Sequence, residues 1–165
     1  MAADQSIQHA AFRWPVRVYY EDTDAGGVVY HANYLNFLER ARTEWLSDLG
    51  FEQDRLRAEQ GVLFAVRRLA IDYLRPALFN DRLMVLSVPV RLGRASLDFE
   101  QKILRDAGGT LCCRARVELA CVSADRLRPT RIPDAVARAM QGAVQAASQG
   151  HALSSDKSPE SIHGI

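Results

Sequence analysis

Between Asn33 and Leu49, Tyr34, Leu35, Phe37, Leu38, Ala41, Trp45, Leu46 and Leu49 recur at three- and four-residue steps. Asn36, Glu39, Arg40, Thr43, Glu44 and Ser47 fill the positions between them. This spacing predicts a long helix with one broad aromatic and aliphatic stripe, wide enough to cover the face of a sheet. Gly50 follows as a C′ residue that ends it. No other segment constrains the architecture as strongly, because the stripe needs a partner surface and the chain must provide it.

That surface is written in the strands around the helix. Before it, from Phe12 to Tyr20, Trp14, Val16, Val18 and Tyr20 alternate with Arg13, Pro15, Arg17 and Tyr19, with Pro15 near the strand start where proline is tolerated. After it, Glu52 to Gln60 fits a short second helix. Val62–Leu74, Arg82–Leu92, Ala95–Arg105 and Thr110–Ser123 then read as strands, broken by turns at Pro76, Gly93 and Gly108-Gly109. The last strand puts Cys113, Ala115, Val117, Leu119 and Cys121 on one face, and Cys112, Arg114, Arg116 and Glu118 on the other. Strand, long helix, then four strands predicts an α+β fold in which an antiparallel sheet curls around one helix. A final helix is expected from Pro133 to about Ala147. Residues 1–11 and 148–165 are expected to be flexible, leaving a single domain over 12–147.

Composition narrows the function classes. The 165 residues are 48% hydrophobic and 25% charged, which excludes a disordered chain. Lys plus Arg (21) nearly balances Asp plus Glu (20), so the net charge of +1 provides no field for nonspecific nucleic-acid or membrane binding. Function has to come from a local site. The three cysteines lie in an apolar run without CxxC spacing, which argues against a disulfide framework or zinc and for a reducing compartment. His9, His31, His151 and His163 are scattered, so no metal is expected. No segment has the length of a membrane span and the N-terminus lacks a leader pattern, so the expected location is cytoplasmic.

The chemistry concentrates in Tyr20-Glu-Asp22-Thr-Asp24-Ala-Gly-Gly27-Val-Val-Tyr-His31-Ala-Asn33-Tyr34, at the junction of the first strand and the long helix. Asp22 to Gly27 combines side chains that bond their own backbone with glycines that allow positive φ, so the strand breaks there. First-turn N–H groups of a helix lack internal partners and carry the positive end of its dipole. They suit a polarised carbonyl, and a nearby carboxylate would attack it or activate water, which points to acyl transfer. No G-x-S-x-G elbow or P-loop offers another template.

With its continuation Phe37-Leu-Glu-Arg-Ala-Arg-Thr-Glu-Trp-Leu46, this motif resembles the Tol-Pal-associated, YbgC-type acyl-CoA thioesterases of the 4-hydroxybenzoyl-CoA thioesterase family. The resemblance continues through Tyr73-Leu74-Arg75-Pro76-Ala77, Asp81-Arg82-Leu83, Gly93-Arg94-Ala95-Ser96 and Arg128-Pro129-Thr130-Arg131-Ile132-Pro133, covering roughly Trp14 to Met140. It implies the hotdog fold, assembly as a homodimer or homotetramer through sheet edges, an acyl-CoA substrate and no cofactor. Acyl carrier protein is a further partner to weigh.

Residue by residue, the resemblance implies that Asp24 is the catalytic carboxylate, as nucleophile or as general base. Asp22 reads as turn formation. His31 and Tyr20 match positions implicated in catalysis. His31 is equally open to packing, and the strand parity of Tyr20 turns it toward the apolar face. Gly27 lets the backbone turn closely past a thioester, and Asn33 caps the helix or buttresses the loop. Ser96 matches a polar position near the pantetheine channel in hotdog dimers, although ordinary strand-start bonding explains it equally. Arg91, Arg94 and Arg131 lie in turns where coenzyme A phosphates would need cations. Glu39 reads as solvated or as an interface residue. The competing class is a hotdog binding module that grips acyl carrier protein or envelope and phospholipid-synthesis proteins with little turnover. A hotdog dehydratase fits less, since its His and acidic pair is missing.

Overall fold

The computed structural model describes residues 11–105 and 109–155. Five strands form one antiparallel sheet: β1 (Phe12–Arg17), β2 (Val62–Tyr73), β3 (Arg82–Leu92), β4 (Ser96–Arg105) and β5 (Thr110–Ser123). Their order is β1-β3-β4-β5-β2, so β3 to β5 form a meander while β1 and β2 are the two edges. Helix α1 (Asn33–Asp48) packs across β1 and β3, α2 (Gln53–Gln60) leads into β2, and α3 (Asp134–Ser155) packs against β3. Register shifts at Val66/Arg68, Pro89/Arg91 and Ile103/Leu104 place extra residues in three of the strands, and such bulges bend a sheet. The curled sheet around one long helix is the expected hotdog architecture.

The predicted stripe on α1 is the core. Tyr34, Phe37, Leu38, Ala41, Trp45 and Leu46 are buried against Val85, Phe99, Ile103 and Val117, and Trp45 meets the Phe99 ring edge-on at 4.9 Å. Each large apolar side chain so buried contributes ~1.5–3 kcal/mol. One polar network interrupts this packing. Arg42 donates to Gln101 Oε1 at 2.9 Å, while Gln101 Nε2 donates to the Leu38 carbonyl at 3.0 Å and to Ser87 Oγ at 2.8 Å. Every bond runs between α1 and the sheet or between neighbouring strands, so the network fixes how the helix is seated.

Cys113 and Cys121 pack as small hydrophobes, as expected. Burial pushes the Cys113 thiol up to about 12 and the Cys121 thiol up to about 11. Cys112, expected on the solvated face, is buried as well, because residues 74 and 75 fold over it and both donate N–H bonds to its carbonyl.

Two further expectations are corrected. Strand β1 stops at Arg17 rather than Tyr20, and Tyr20–Asp22 forms a single 3-10 turn. The Asp22 carboxylate accepts the Tyr19 N–H at 2.7 Å, which pulls the chain out of the strand pattern just after buried Val18. Helix α3 also continues beyond Ala147 to Ser155, into the segment read as a loose tail. The alanines at 143, 146 and 147 have the highest helix propensity, and buried Ala147 gives the extension a contact surface. The remaining expectations for both termini, and Gly108, lie outside the described residues. Among the described residues, no helix is long and apolar enough to cross a membrane, and no group of three metal-ligating side chains occurs.

Candidate active site

The site grows from the loop between β1 and α1. Buried Asp22 clamps it from within: Oδ2 holds the Tyr19 N–H, Oδ1 accepts from Asn33 Nδ2 at 2.7 Å, and its carbonyl accepts the Tyr30 N–H at 2.9 Å. Asn33 therefore buttresses the loop rather than capping the helix, and Asn36 Nδ2 in turn donates to Asn33 Oδ1 at 2.8 Å. Outside this clamp the chain makes a tight turn. The Asp24 N–H bonds the Val28 carbonyl at 2.9 Å, and the Gly27 N–H bonds the Asp24 carbonyl at 3.0 Å. Gly27 has φ +76, the left-handed region that disfavours side chains, although a Cβ there would meet open space.

Asp24 is exposed at the start of this turn. Its Oδ1 accepts the Gly26 N–H at 2.8 Å, which orients the carboxylate, and Oδ2 has no partner among the described residues. A Cβ on Gly26 would lie 3.1 Å from Oδ1, so this glycine, which sequence reasoning passed over, also shapes the carboxylate's surroundings.

Asp24 shares an open cleft, with about 630 Å³ of empty space, with His31, Tyr34, Tyr73, Arg75, Pro76 and the apolar residues Val28, Val29 and Leu74. The His31 and Ala32 N–H groups, just before α1, have no acceptor among the described residues. Unpaired carboxylate oxygen, unpaired helix-start N–H groups and a cation at Arg75 thus meet at one cleft. The His31 ring is exposed, tilted against Tyr30 at 4.6 Å and edge-on to Tyr73 at 6.4 Å. Tyr34, buried beneath them, accepts the Ala77 N–H on its hydroxyl at 3.0 Å, and burial raises its pKa. Tyr73 donates to the His31 carbonyl at 2.7 Å. The sequence placed Tyr73 and Arg75 in a recognisable block but gave no sign that the block closes onto Asp24.

Tyr20 does not join this cleft. The 3-10 turn swings it away from the apolar face its parity suggested; it is 78% exposed and stacks on Phe79 with ring centres 4.0 Å apart. Ser96 and Arg91 come together, but elsewhere, lining a cavity with Arg67, Arg68, Asp98 and Glu118. Arg67 and Arg68 are additions that strand parity hid. Both reach Glu118, at 3.5 and 3.7 Å. Gly93 adjoins this cavity, and a Cβ there would press on Ser96 Oγ, which would have to rotate away. Arg94 and Arg131 stand outside it: the Arg94 carbonyl accepts the Ile132 N–H at 3.0 Å, and Arg131 pairs with Asp134 at 3.1 Å. Glu39 is exposed on α1, accepts from Thr43 Oγ1 at 3.2 Å, and lies away from Asp24.

The two clefts sit at opposite ends of the sheet. Tyr73 is opposite Cys113 and Ser96 is opposite Ala120, and that stretch of β5 is ~23 Å long at ~3.3 Å per residue. One chain therefore holds the site residues expected from the sequence in two separated groups.

The curled antiparallel sheet around one helix is the hotdog fold of thioesterase structures. The chain belongs to the thioesterase-like superfamily, which it matches over residues 18–140. It is 48% identical over 125 residues to the acyl-CoA thioesterase YbgC of Haemophilus influenzae, covering 76% of this chain and 90% of the relative. The acyl-CoA thioester hydrolase YbgC of Escherichia coli is 46% identical over 125 residues, covering 76% and 92%. Among solved structures, a probable thioesterase from Bartonella henselae superposes with TM-score 0.71 at 38% identity, over 74% of this chain and 99% of that one.

Proposed function

We propose that this chain hydrolyses acyl-CoA thioesters to a free acid and coenzyme A, with Asp24 as the reacting carboxylate. The observation that carries the reading is the cleft itself, where an oriented carboxylate with an unpaired oxygen faces the start of α1, whose own N–H groups are unpaired. A thioester carbonyl accepting the His31 N–H is polarised as charge develops on its oxygen. Asp24 then either attacks the carbonyl carbon, expelling the coenzyme A thiolate and leaving a mixed anhydride that water cleaves, or takes a proton from water as that water attacks. In this reading the His31 ring, which lines the same cleft, orients water or stabilises the thiolate. Tyr20, exposed and stacked on Phe79, would act only on substrate outside the cleft. Single-turnover hydrolysis in ¹⁸O-water detects the anhydride route in which water attacks the Asp24 carbonyl carbon, since only that cleavage returns label to the Asp24 carboxylate and leaves the product acid unlabelled.

The same reading makes the active unit at least a homodimer. β2 is a twelve-residue edge with Val66 51% exposed, whereas the six-residue β1 edge carries Pro15, which has no N–H to donate. Antiparallel pairing of two β2 edges would bring each Asp24 cleft toward the partner subunit's Ser96 and Arg91. Arg67, Arg68 and Arg91 would then hold phosphates at the mouth while apolar walls hold the acyl chain. Arg94 is a peripheral candidate, and Gly27 admits the thioester. A homotetramer, a Tol-Pal association and acyl carrier protein thioesters as alternative substrates belong to this reading through the resemblance alone, and a cytoplasmic setting through the sequence pattern alone.

The deciding experiment is thiol release from a panel of short, long and aromatic acyl-CoAs. Turnover that disappears in Asp24→Asn supports the reading. No turnover with any of them, together with a co-purifying carrier protein, would replace it with a binding module.

A further inference from the structure

The residue at the helix start whose N–H meets the thioester in the proposed reaction, His31, is held from both sides. On its N-terminal side the Tyr30 carbonyl accepts the Asn33 N–H at 2.8 Å, a bond local to the helix start. On its C-terminal side the His31 carbonyl accepts the Tyr73 hydroxyl at 2.7 Å, a bond spanning 42 residues from the end of edge strand β2. Helix geometry alone would not supply the second bond. In a regular helix the His31 carbonyl would receive the Leu35 N–H, but Leu35 donates to Ala32 instead, at 3.2 Å. A peptide is planar, so the Asn33 bond orients the plane that holds the Tyr30 carbonyl and the His31 N–H, while the Tyr73 bond orients the next plane, which holds the His31 carbonyl and the Ala32 N–H; together they restrict rotation of the backbone at His31 between them.

The geometry points to Tyr73 as a positioning residue for thioester hydrolysis: its hydroxyl anchors the His31 carbonyl and so steadies, from the C-terminal side, the backbone whose N–H the bound thioester would meet. This rests on the thioesterase reading and assigns to it a residue from outside the Asp24 motif. The Tyr73 ring is itself wedged edge-on against buried Tyr34, with centres 5.5 Å apart, so the hydroxyl approaches from a packed base. Burial raises the Tyr73 pKa, which keeps the hydroxyl a proton donor across the range where a carboxylate is ionised. An N–H donor stabilises a developing oxyanion only if it is already aimed when the charge forms, since a donor that must reorient loses its advantage over water.

The test is steady-state hydrolysis of an acyl-CoA by the full-length assembled protein, comparing wild type, Tyr73→Phe, Leu69→Ala and Asp24→Asn. Phenylalanine keeps the ring and removes only the hydroxyl. The expected result for Tyr73→Phe is a kcat roughly tenfold to a hundredfold lower, below the ~10²–10³-fold that losing an oxyanion donor itself costs. KM should stay within about twofold. The pH profile should keep its shape with a lower plateau, and sedimentation should show the wild-type assembly. Leu69→Ala loosens the same strand without touching the bond, and should lower Tm while keeping kcat. Wild-type kcat in Tyr73→Phe overturns the inference, as does a raised KM with kcat intact, or an equal loss of kcat in Leu69→Ala. Full turnover in Asp24→Asn removes the underlying reading instead, so the two failures are distinguishable.

Discussion

Asp24 and Asp22 stand two positions apart and have opposite surroundings. Asp22 is buried with both oxygens accepting hydrogen bonds, and Asp24 is exposed with one oxygen unpaired. The first builds the loop and the second is free to react. Asp24→Asn should lower kcat by ~10²- to ~10⁴-fold, the usual worth of a general base, with thermal stability unchanged, as read from thiol release and a melting curve. Asp22→Asn should behave differently. Its amide nitrogen would face either the Tyr19 N–H or the Asn33 amide, donor against donor, and leaving a buried donor unsatisfied costs ~1–3 kcal/mol. Denaturant titration should show that loss alongside lower activity. At Gly27 the space is open but φ is +76, so Gly27→Ala should cost ~1–2 kcal/mol through the left-handed backbone alone, a loss the same titration measures.

At the level of elements, α1 and the sheet are joined through apolar packing and through one polar relay. Gln101→Leu would remove the oxygen that accepts from buried Arg42 and the donor to the Leu38 carbonyl. Leaving a buried donor without its acceptor costs ~1–3 kcal/mol, toward the upper end for a charged group, and a stability loss of that size in urea unfolding is the expected outcome. Strand β5 carries the other titration of note. The Cys113 and Cys121 thiols are held protonated by burial, at about 12 and about 11 against an ordinary 9.0. An unfolded chain therefore loses these protons first as pH rises, so it binds fewer protons than the folded chain above pH ~9. Stability should be unaffected by these thiols below pH ~9 and should decline from there toward pH ~12. In the native protein at pH ~8 neither should react with a maleimide, while both should react in denaturant.

At the scale of the whole molecule, the separation of the Asp24 cleft from the Ser96 and Arg91 cavity makes the exposed β2 edge the decisive surface. Val66→Asp would place a charge on that edge, and pairing two such edges would bring like charges together. Sedimentation should then shift toward monomer, and turnover should fall with it, while circular dichroism stays that of the folded chain. A monomer with full activity would show that one chain suffices.

The parts of this structure legible from sequence are those governed by periodicity and by local turn chemistry. The stripe on α1, the alternation in β5 from Cys113 to Cys121 and the Asx and glycine turn at Asp24 depend on neighbours a few residues away, and each formed as the pattern required. Tyr20 shows the limit, since a single carboxylate bond from Asp22 ended the strand before its parity applied. The reach of Tyr73 to His31, the convergence of Arg67 and Arg68 on Arg91, and the burial of Cys112 all depend on which strands lie side by side and in what register. Periodicity states which face of an element is buried, but it does not state what stands opposite. The sequence by itself determined the helix, the strands and the carboxylate turn at Asp24. Only the tertiary structure decided what faces that carboxylate, because strand pairing and bulges place residues far apart in the chain within hydrogen-bonding distance.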